Sequence, residues 1–255
     1  MLSSFQLPKG ILTRLDYFRS RFFWQGDSEK RKYRLAKWSV VCRPRDQGGL
    51  GIHDLEIKNR ALLGKWLFKL LYEEGLWQTL LRRKYVGSKA VSQVVWKPGD
   101  SHFWAGLMAT KKFFFPHGSF AIKNGSEIRF WEDKWLGRAP LREQYPALYN
   151  NVRYKGDTLA KVLRNSPPDV SFRRSLFGPR LASWNALLNR MDSIQLTQGP
   201  DKFRWNLTKT GKFSVDSMYK ILIQPDIPVD NNKKIWTMKI PLKTKVFAHG
   251  IFVAE

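Results

Sequence analysis

Carboxylates, histidines, cysteines and glycine loops are the parts from which a chain can build a catalytic or metal centre, and in these 255 residues they are thinly spread. Two adjacent carboxylate pairs occur, Glu73-Glu74 and Glu132-Asp133. Such a pair can hold a divalent metal or divide acid and base roles when its surroundings push the two pKa values apart. Glu73-Glu74 falls at a predicted helix end, where solvation is expected. Glu132-Asp133 follows a predicted strand, and the favoured reading is a structural turn in which the carboxylates pair with Lys134 or Arg129. The chain contains no Asp-Asp dipeptide. His53, His102, His117 and His249 lack helical or CxxC-like spacing to another ligand, and Cys42 is the single cysteine. A cysteine zinc cluster and an intrachain disulfide are therefore excluded. Gly64-Lys65 is not a phosphate loop, because Asn59 stands where the first glycine is needed and Trp66 where Ser or Thr is needed. The glycine-rich run at 47–51 is expected to be a plain connection. No catalytic residue, metal ligand or cofactor is expected.

The charge balance carries more information. Lys and Arg number 45 against 21 Asp and Glu, a formal net charge of +24. A folded chain with this balance repels itself unless a polyanion is near, which points to nucleic acid first and an anionic membrane surface second. No membrane partner is expected: the most apolar stretch, 61–72, is short and interrupted by Lys65 and Lys69. With 43% hydrophobic residues the composition is that of a folded chain. The opening residues lack the apolar core of a secretory signal, and a lone cysteine fits a reducing compartment, so an intracellular location, the nucleus included, is expected.

The elements that must position these charges follow from periodicity. Ile11, Leu12, Leu15, Phe18 and Phe22 recur at helical spacing after Pro8, with Arg14, Arg19 and Arg21 between them. A polar break covers 26–32 and a short helix or extended piece 34–42. A long helix is expected from an Asp54 N-cap, with Ile57, Ala61, Leu62, Trp66 and Leu70 inward and Lys58, Arg60, Lys65 and Lys69 on the remaining surface. Further helices are read at 76–85, 101–112, 158–163 and 184–191, and from Asp216 to about Ile223. Asn124-Gly125 between two alternating runs predicts a hairpin of 120–123 with 127–131. A second is expected to pair 202–207 with 212–215 around Gly211. The fold class is α+β and mainly helical, with a helical N-terminal half followed by a smaller part with two β-hairpins and short helices.

A set of motifs runs down the chain in fixed order: FFWQG at 22–26, KW at 37–38, RPRDQGGLGI at 43–52, NRALLGKW at 59–66, IRFWEDKWLG at 128–137, GKFSVDSMY at 211–219 and IWTMKIPLKTKVF at 235–247. From about Leu7 to about Phe247 this series resembles the C-terminal region of plant LINE-type (non-LTR) retrotransposon reverse transcriptases, after the polymerase palm and into the reverse-transcriptase zinc-binding domain. The resemblance implies a helical thumb- or connection-like region at 1–115, a linker region with the two hairpins at 116–215, and an incomplete start of the zinc-binding domain at 216–255. The family's Cys/His cluster lies beyond the last motif, and this sequence departs from the family's pattern after Phe247 and stops at Glu255. The palm's paired aspartates are not in this sequence. The thumb of such enzymes holds the primer–template, so the first helix and the basic segment 19–45 are the expected nucleic-acid surface.

The residues expected to contact phosphate are Arg14, Arg19, Arg21, Lys30, Arg31, Lys32, Arg34, Lys58, Arg60 and Lys65. Trp24, Tyr33 and Trp38 could stack on bases, although large rings more often fill cores. The expected function is non-catalytic, non-specific RNA or DNA binding, with other segments of the parent reverse transcriptase as further partners. A co-opted protein-interaction module and a non-functional remnant are the alternatives. Purified protein is expected to give no primer extension on a homopolymer template with Mg²⁺ or Mn²⁺, and extension surviving purification controls would refute this.

Overall fold

The computed structural model describes residues 4–26, 33–34, 36–47, 49–87, 89–165, 167–223 and 244. These form an α+β, mainly helical fold with one small antiparallel sheet. In chain order the elements are α1 (Lys9–Gln25), α2 (Trp38–Val41), α3 (Leu55–Tyr72), α4 (Leu76–Leu81) running into a π-helical turn at Arg82–Val86, and α5 (His102–Phe114). After these come β1 (Gly118–Ala121), α6 (Leu141–Gln144), α7 (Pro146–Tyr149), α8 (Leu159–Val162), α9 (Pro179–Met191), β2 (Lys202–Trp205) and α10 (Val215–Leu222). They fall into two compact units, one of residues 1–63 with 215–255, the other of 64–214. Compactness thus divides the chain between 63 and 64 and between 214 and 215; the three-part division rests on motif order, which is a different property from packing.

In the first unit α1 begins where expected: Pro8 fixes the entry, and its carbonyl accepts from the amides of Ile11 and Leu12. Gly26 ends the helix at φ 62°, a conformation that costs other residues a clash. The helix is seated one residue away from the expected face. Leu12, Ser20 and Trp24 are buried, whereas Ile11, Leu15, Phe18 and Phe22 are 48, 40, 51 and 70% exposed. One residue is about 100° of helical rotation, enough to turn a predicted inner line outward. What wins is Trp24, which carries more apolar area than any residue on the other line. It packs with Val41, Phe23, Trp38, Leu50 and Ile52 in a small core.

Asp54 caps α3 through its carboxylate, which accepts from the Ile57 amide at 2.9 Å. Asn59, buried on the same helix, accepts from Leu7 N and donates to the Phe5 carbonyl, tying down the segment before α1. From α10, the Tyr219 hydroxyl accepts from the Asp54 amide at 2.9 Å, and its ring meets His53 edge-on at 5.0 Å. Gly49 is required by packing, since a Cβ there would lie 2.0 Å from the Arg43 carbonyl oxygen. Cys42 is buried, and burial pushes its thiol up to about 12, which leaves it unreactive.

The second unit has an aromatic core. Phe114 of α5 stacks on Phe203 and Trp205 of β2 at 5.0 and 5.1 Å, and all three rings are buried. β1 pairs antiparallel with β2, Gly118 opposite Trp205 and Phe120 opposite Phe203. Gly118 is the only residue that fits its place, because a Cβ would sit 1.9 Å from the Phe203 ring. In the part of α3 that belongs to this unit the buried side chains are Leu67, Phe68 and Leu70, as Ala61 and Leu63 are in the part before it. Trp66 is half-buried, 5.0 Å from Trp77 and 6.1 Å from Phe103, so it edges the core and does not centre it.

Neither expected hairpin forms among the described residues. Asn124-Gly125 does make a turn, with Gly125 at φ 70°. Its flanking amides, however, bond to a side chain and not to an opposing strand: buried Asp201 accepts from Lys123 N at 2.7 Å, Gly125 N at 2.9 Å and Glu127 N at 3.0 Å. Residues 128–130 turn instead to Asp157 and Leu159. At the second site, 202–205 is taken by β1, and Gly211 only closes a turn by accepting from Trp205 N. Both hairpins therefore gave way to one long-range pairing anchored by a carboxylate. Asp201→Ala strands those backbone donors and is expected to cost about 3 kcal/mol in urea unfolding, with Asp201→Asn in between. A loss under about 0.5 kcal/mol, the range of a neutral surface change, would show that the latch is dispensable.

Candidate nucleic-acid interface

α1 brings together a strip of charge and aromatic rings. Residues three, four and seven apart share a helical face. Arg14, Tyr17, Phe18, Arg21 and Phe22 all lie on exposed positions of α1 within this spacing. Arg14 has no ion pair or hydrogen bond from its side chain among the described residues, and Arg21 bonds only Gln25 Oε1 at 3.0 Å. Arg34 is exposed and places its guanidinium 5.9 Å from the Tyr17 ring centre, extending the strip beyond the helix. Tyr33 is 94% exposed, whereas Trp24 is buried in the small core and Trp38 is half-buried against it.

The other expected residues separate by what they already do. Arg19 is a tie within the unit: it bonds Asp16 Oδ1 at 2.6 Å and the His53 carbonyl at 2.8 Å, and lies 5.4 Å over Trp38. Burial, then the cations Lys58 and Arg19, lower the pKa of His53, so it stays neutral more readily than an ordinary histidine. Lys58 stands 5.6 Å over Tyr219, and Arg60 pairs with Glu56 at 2.7 Å. Lys65 is exposed on the part of α3 that belongs to the second unit. Lys30, Arg31 and Lys32 lie outside the described residues, as does His249.

In the second unit the Glu132-Asp133 pair is fully engaged. Asp133 is buried, and its carboxylate accepts from Arg129 Nη2 at 2.7 Å, Arg129 N at 2.7 Å and Ser92 Oγ at 3.2 Å. Glu132 pairs with Arg129 Nη1 and accepts from the Tyr149 hydroxyl at 2.9 Å. Burial works against the Arg129 charge, but the hydrogen-bonded Asp133 outweighs it and holds that guanidinium above its usual value. Lys134, the other expected partner, bonds the Pro116 carbonyl. This ion network floors a cleft of about 410 Å³ that also holds Lys111. Burial lowers the Lys111 amine to about 8, and it donates to the carbonyls of Ser92 and Val94. Among the described residues no group of three or more His, Cys, Asp or Glu is placed to hold a metal ion, and no helix is long and apolar enough to cross a membrane.

Comparison with known proteins gives two informative relatives. Over 256 aligned positions, 96% of this chain, it is 31% identical to a protein of Arabidopsis thaliana provisionally named a ribonuclease H protein. An uncharacterised mitochondrial protein of Arabidopsis thaliana is 27% identical over 137 residues, 53% of this chain and 89% of that protein. The chain therefore has plant homologues. It spans 40% of the length of the first relative. No family model matches the chain, and no solved structure matches it.

Separating tied from untied cations yields a test. Arg19→Gln is expected to destabilise the protein by about 1–3 kcal/mol, because it removes a charged hydrogen bond to a backbone carbonyl and a contact over Trp38. Arg14→Gln and Arg21→Gln should stay within about 0.5 kcal/mol in the same urea titration. Equal effects at all three positions would contradict the assignment of Arg19 as a structural tie.

Proposed function

We propose that the chain is a non-catalytic, nucleic-acid-binding part of a plant LINE-type reverse transcriptase, contacting RNA or DNA without sequence preference. The observation that carries this reading is the strip on α1, where Arg14, Tyr17, Phe18, Arg21 and Phe22 are exposed together and Arg34 joins through Tyr17. Guanidinium groups neutralise phosphates, and rings beside them stack on unpaired bases of any sequence. The net charge of +24 supplies long-range attraction. A plant retroelement-related chain is supported by the motif order together with the Arabidopsis relatives. The finer assignment, post-palm thumb and linker running into a zinc-binding domain, rests on the motifs alone, and the last of them, 235–247, lies outside the described residues. Absence of catalysis rests on the lack of a paired-aspartate motif in this sequence, and other segments of a longer reverse transcriptase remain the expected protein partners.

A second reading draws on the same helix. Ile11, Leu15, Phe18 and Phe22 form an exposed apolar line that would also suit a protein partner. Salt separates the two. With about six phosphates contacted, affinity for a labelled single strand should fall about three-hundredfold between about 50 and 200 mM salt. Replacing Arg14, Arg21 and Arg34 together with Gln should flatten the slope by about two, at about 0.7 per single-strand phosphate, while the melting temperature holds. The measurement is fluorescence anisotropy across a salt series. Salt-independent affinity, or a slope that ignores the triple variant, would remove α1 as the nucleic-acid surface and move the protein-interaction reading ahead.

A further inference from the structure

The second unit holds a smaller cleft whose chemistry is simpler than that of the large one. It measures about 240 Å³ and is lined by Ala147, Asn150, Asn151, Arg173, Arg174 and Arg180. Three arginines face it and no carboxylate does. The large cleft differs: there Glu132, Asp133 and Glu143 stand among the cations, and Arg129 is spent on the first two. The guanidiniums of Arg173, Arg174 and Arg180 make no hydrogen bond or ion pair among the described residues. Like charges gathered without a counter-charge raise the energy of the free protein, and an arriving anion relieves that cost.

The backbone beneath these side chains is fixed. Asn151 is buried and clamps the 173–174 segment from three sides: its carbonyl accepts from Arg173 N at 2.7 Å, its Oδ1 accepts from Arg174 N at 3.2 Å, and its Nδ2 donates to the Arg174 carbonyl at 2.8 Å. Next to this clamp the Arg153 amide donates to Ser171 O at 2.9 Å, and Val152 bridges to Phe172. Arg180 comes from the first turn of α9, a helix of 13 residues entered through Pro179, so its position is set by a separate regular element. Two elements thus deliver three planar donor forks to one concavity, with their own hydrogen-bonding capacity unspent. Guanidinium forks match the spacing of phosphoryl oxygens and are less strongly hydrated than ammonium groups, so this arrangement selects phosphate over a point anion such as chloride.

We propose that the Arg173–Arg174–Arg180 cleft is a phosphate-binding site that takes a backbone phosphate of a nucleic-acid strand. It is built from none of the residues of α1 and rests on the nucleic-acid-binding reading only for the source of the phosphate. The site adds a fixed, bidentate contact to what α1 supplies as a mixed strip.

The experiment reads each arginine directly. Phenylglyoxal modifies accessible guanidinium groups, and peptide mass spectrometry reports the rate at Arg173, Arg174 and Arg180 separately. The full chain is treated alone, with orthophosphate, with a single-stranded oligonucleotide, and with sodium chloride at matched ionic strength. Orthophosphate and the oligonucleotide are both expected to slow modification of the three arginines several-fold relative to chloride. Arg164, an exposed arginine outside the cleft, should respond equally to all three additions. Protection by orthophosphate alone would overturn the nucleic-acid source and leave a site for a free phosphate. Protection no greater than chloride gives would overturn the site itself. In parallel, Arg173→Gln/Arg174→Gln/Arg180→Gln should weaken oligonucleotide binding about tenfold at low salt and lower the salt slope by about 0.7, the share of one phosphate, and lysine at the three positions should restore the slope but not the full affinity. An unchanged slope in the glutamine variant with a normal melt counts against the proposal. Loss of the α1 contribution with retained protection here would instead count against the α1 reading alone.

Discussion

With 21 carboxylates to serve 45 cationic side chains, each acidic group that folds inward has to satisfy several donors at once. The buried ones do so. Asp201 holds three backbone amides of the 123–127 turn. Asp133 gathers the Arg129 guanidinium and amide and the Ser92 hydroxyl. Asp54, only half-buried, manages with less: its carboxylate caps α3 by accepting from the Ile57 amide, while its own amide is taken by Tyr219. A buried carboxylate is tolerable only with such a full set of partners, since an unsatisfied one costs several kcal/mol. The irregular stretches of the second unit, which have little sheet to absorb their polar backbone groups, are organised around these few anions.

The same scarcity shapes the surface. Once the inward carboxylates are committed, most lysines and arginines have no acidic partner to meet. Some settle over aromatic rings, as Lys58 does on Tyr219 and Lys155 on Tyr149 at 4.3 Å. Others, such as Arg14 and the arginines of the small cleft, carry their charge outward. A cation paired in a surface salt bridge gains little and loses its capacity to bind anything else. Leaving it unpaired keeps that capacity, and a polyanion is the ligand class that can neutralise many such groups together and release their counterions as it does so.

How much of this was legible in the sequence depends on the range of the interaction involved. Helices fixed by local signals were readable: Pro8 before α1, the Asp54 cap of α3, Ser101 before α5 and Thr158 before α8 each act within three or four residues. The mainly helical α+β class follows from them. The Asn124-Gly125 turn was readable, but its partner was not, because Asp201 lies 76 residues away from Gly125 and nothing in the local pattern points to it. The rotation of α1 was hidden for a similar reason. Two apolar lines one residue apart compete on that helix, and Trp24 wins through Val41 and Leu50, which belong to other elements. Of the expected phosphate-contacting residues, periodicity could place Arg14, Arg19 and Arg21 on one helix, yet it could not show that Arg19 is spent on the His53 carbonyl. The arginines at 173, 174 and 180 carried no motif. Only the buried Asn151 clamp makes them a group, and the spacing of asparagine to arginine across 23 residues has no sequence signature.

The hydrogen bond between Asp54 and Tyr219 joins residues 165 positions apart, and it does so inside a single compact unit whose two segments are separated by the whole of the other. During synthesis the first segment leaves the ribosome long before α10 exists. The second unit, whose stretch is contiguous, has all its residues available first and can close while the earlier-made segment still waits. The chain thus inverts the usual N-to-C order in which domains mature. In the interval the α3 cap and the rim around His53 stand without the tyrosine that completes them. Long-range closure of this kind is slow, because the entropy of joining distant segments is spent before the contact repays it.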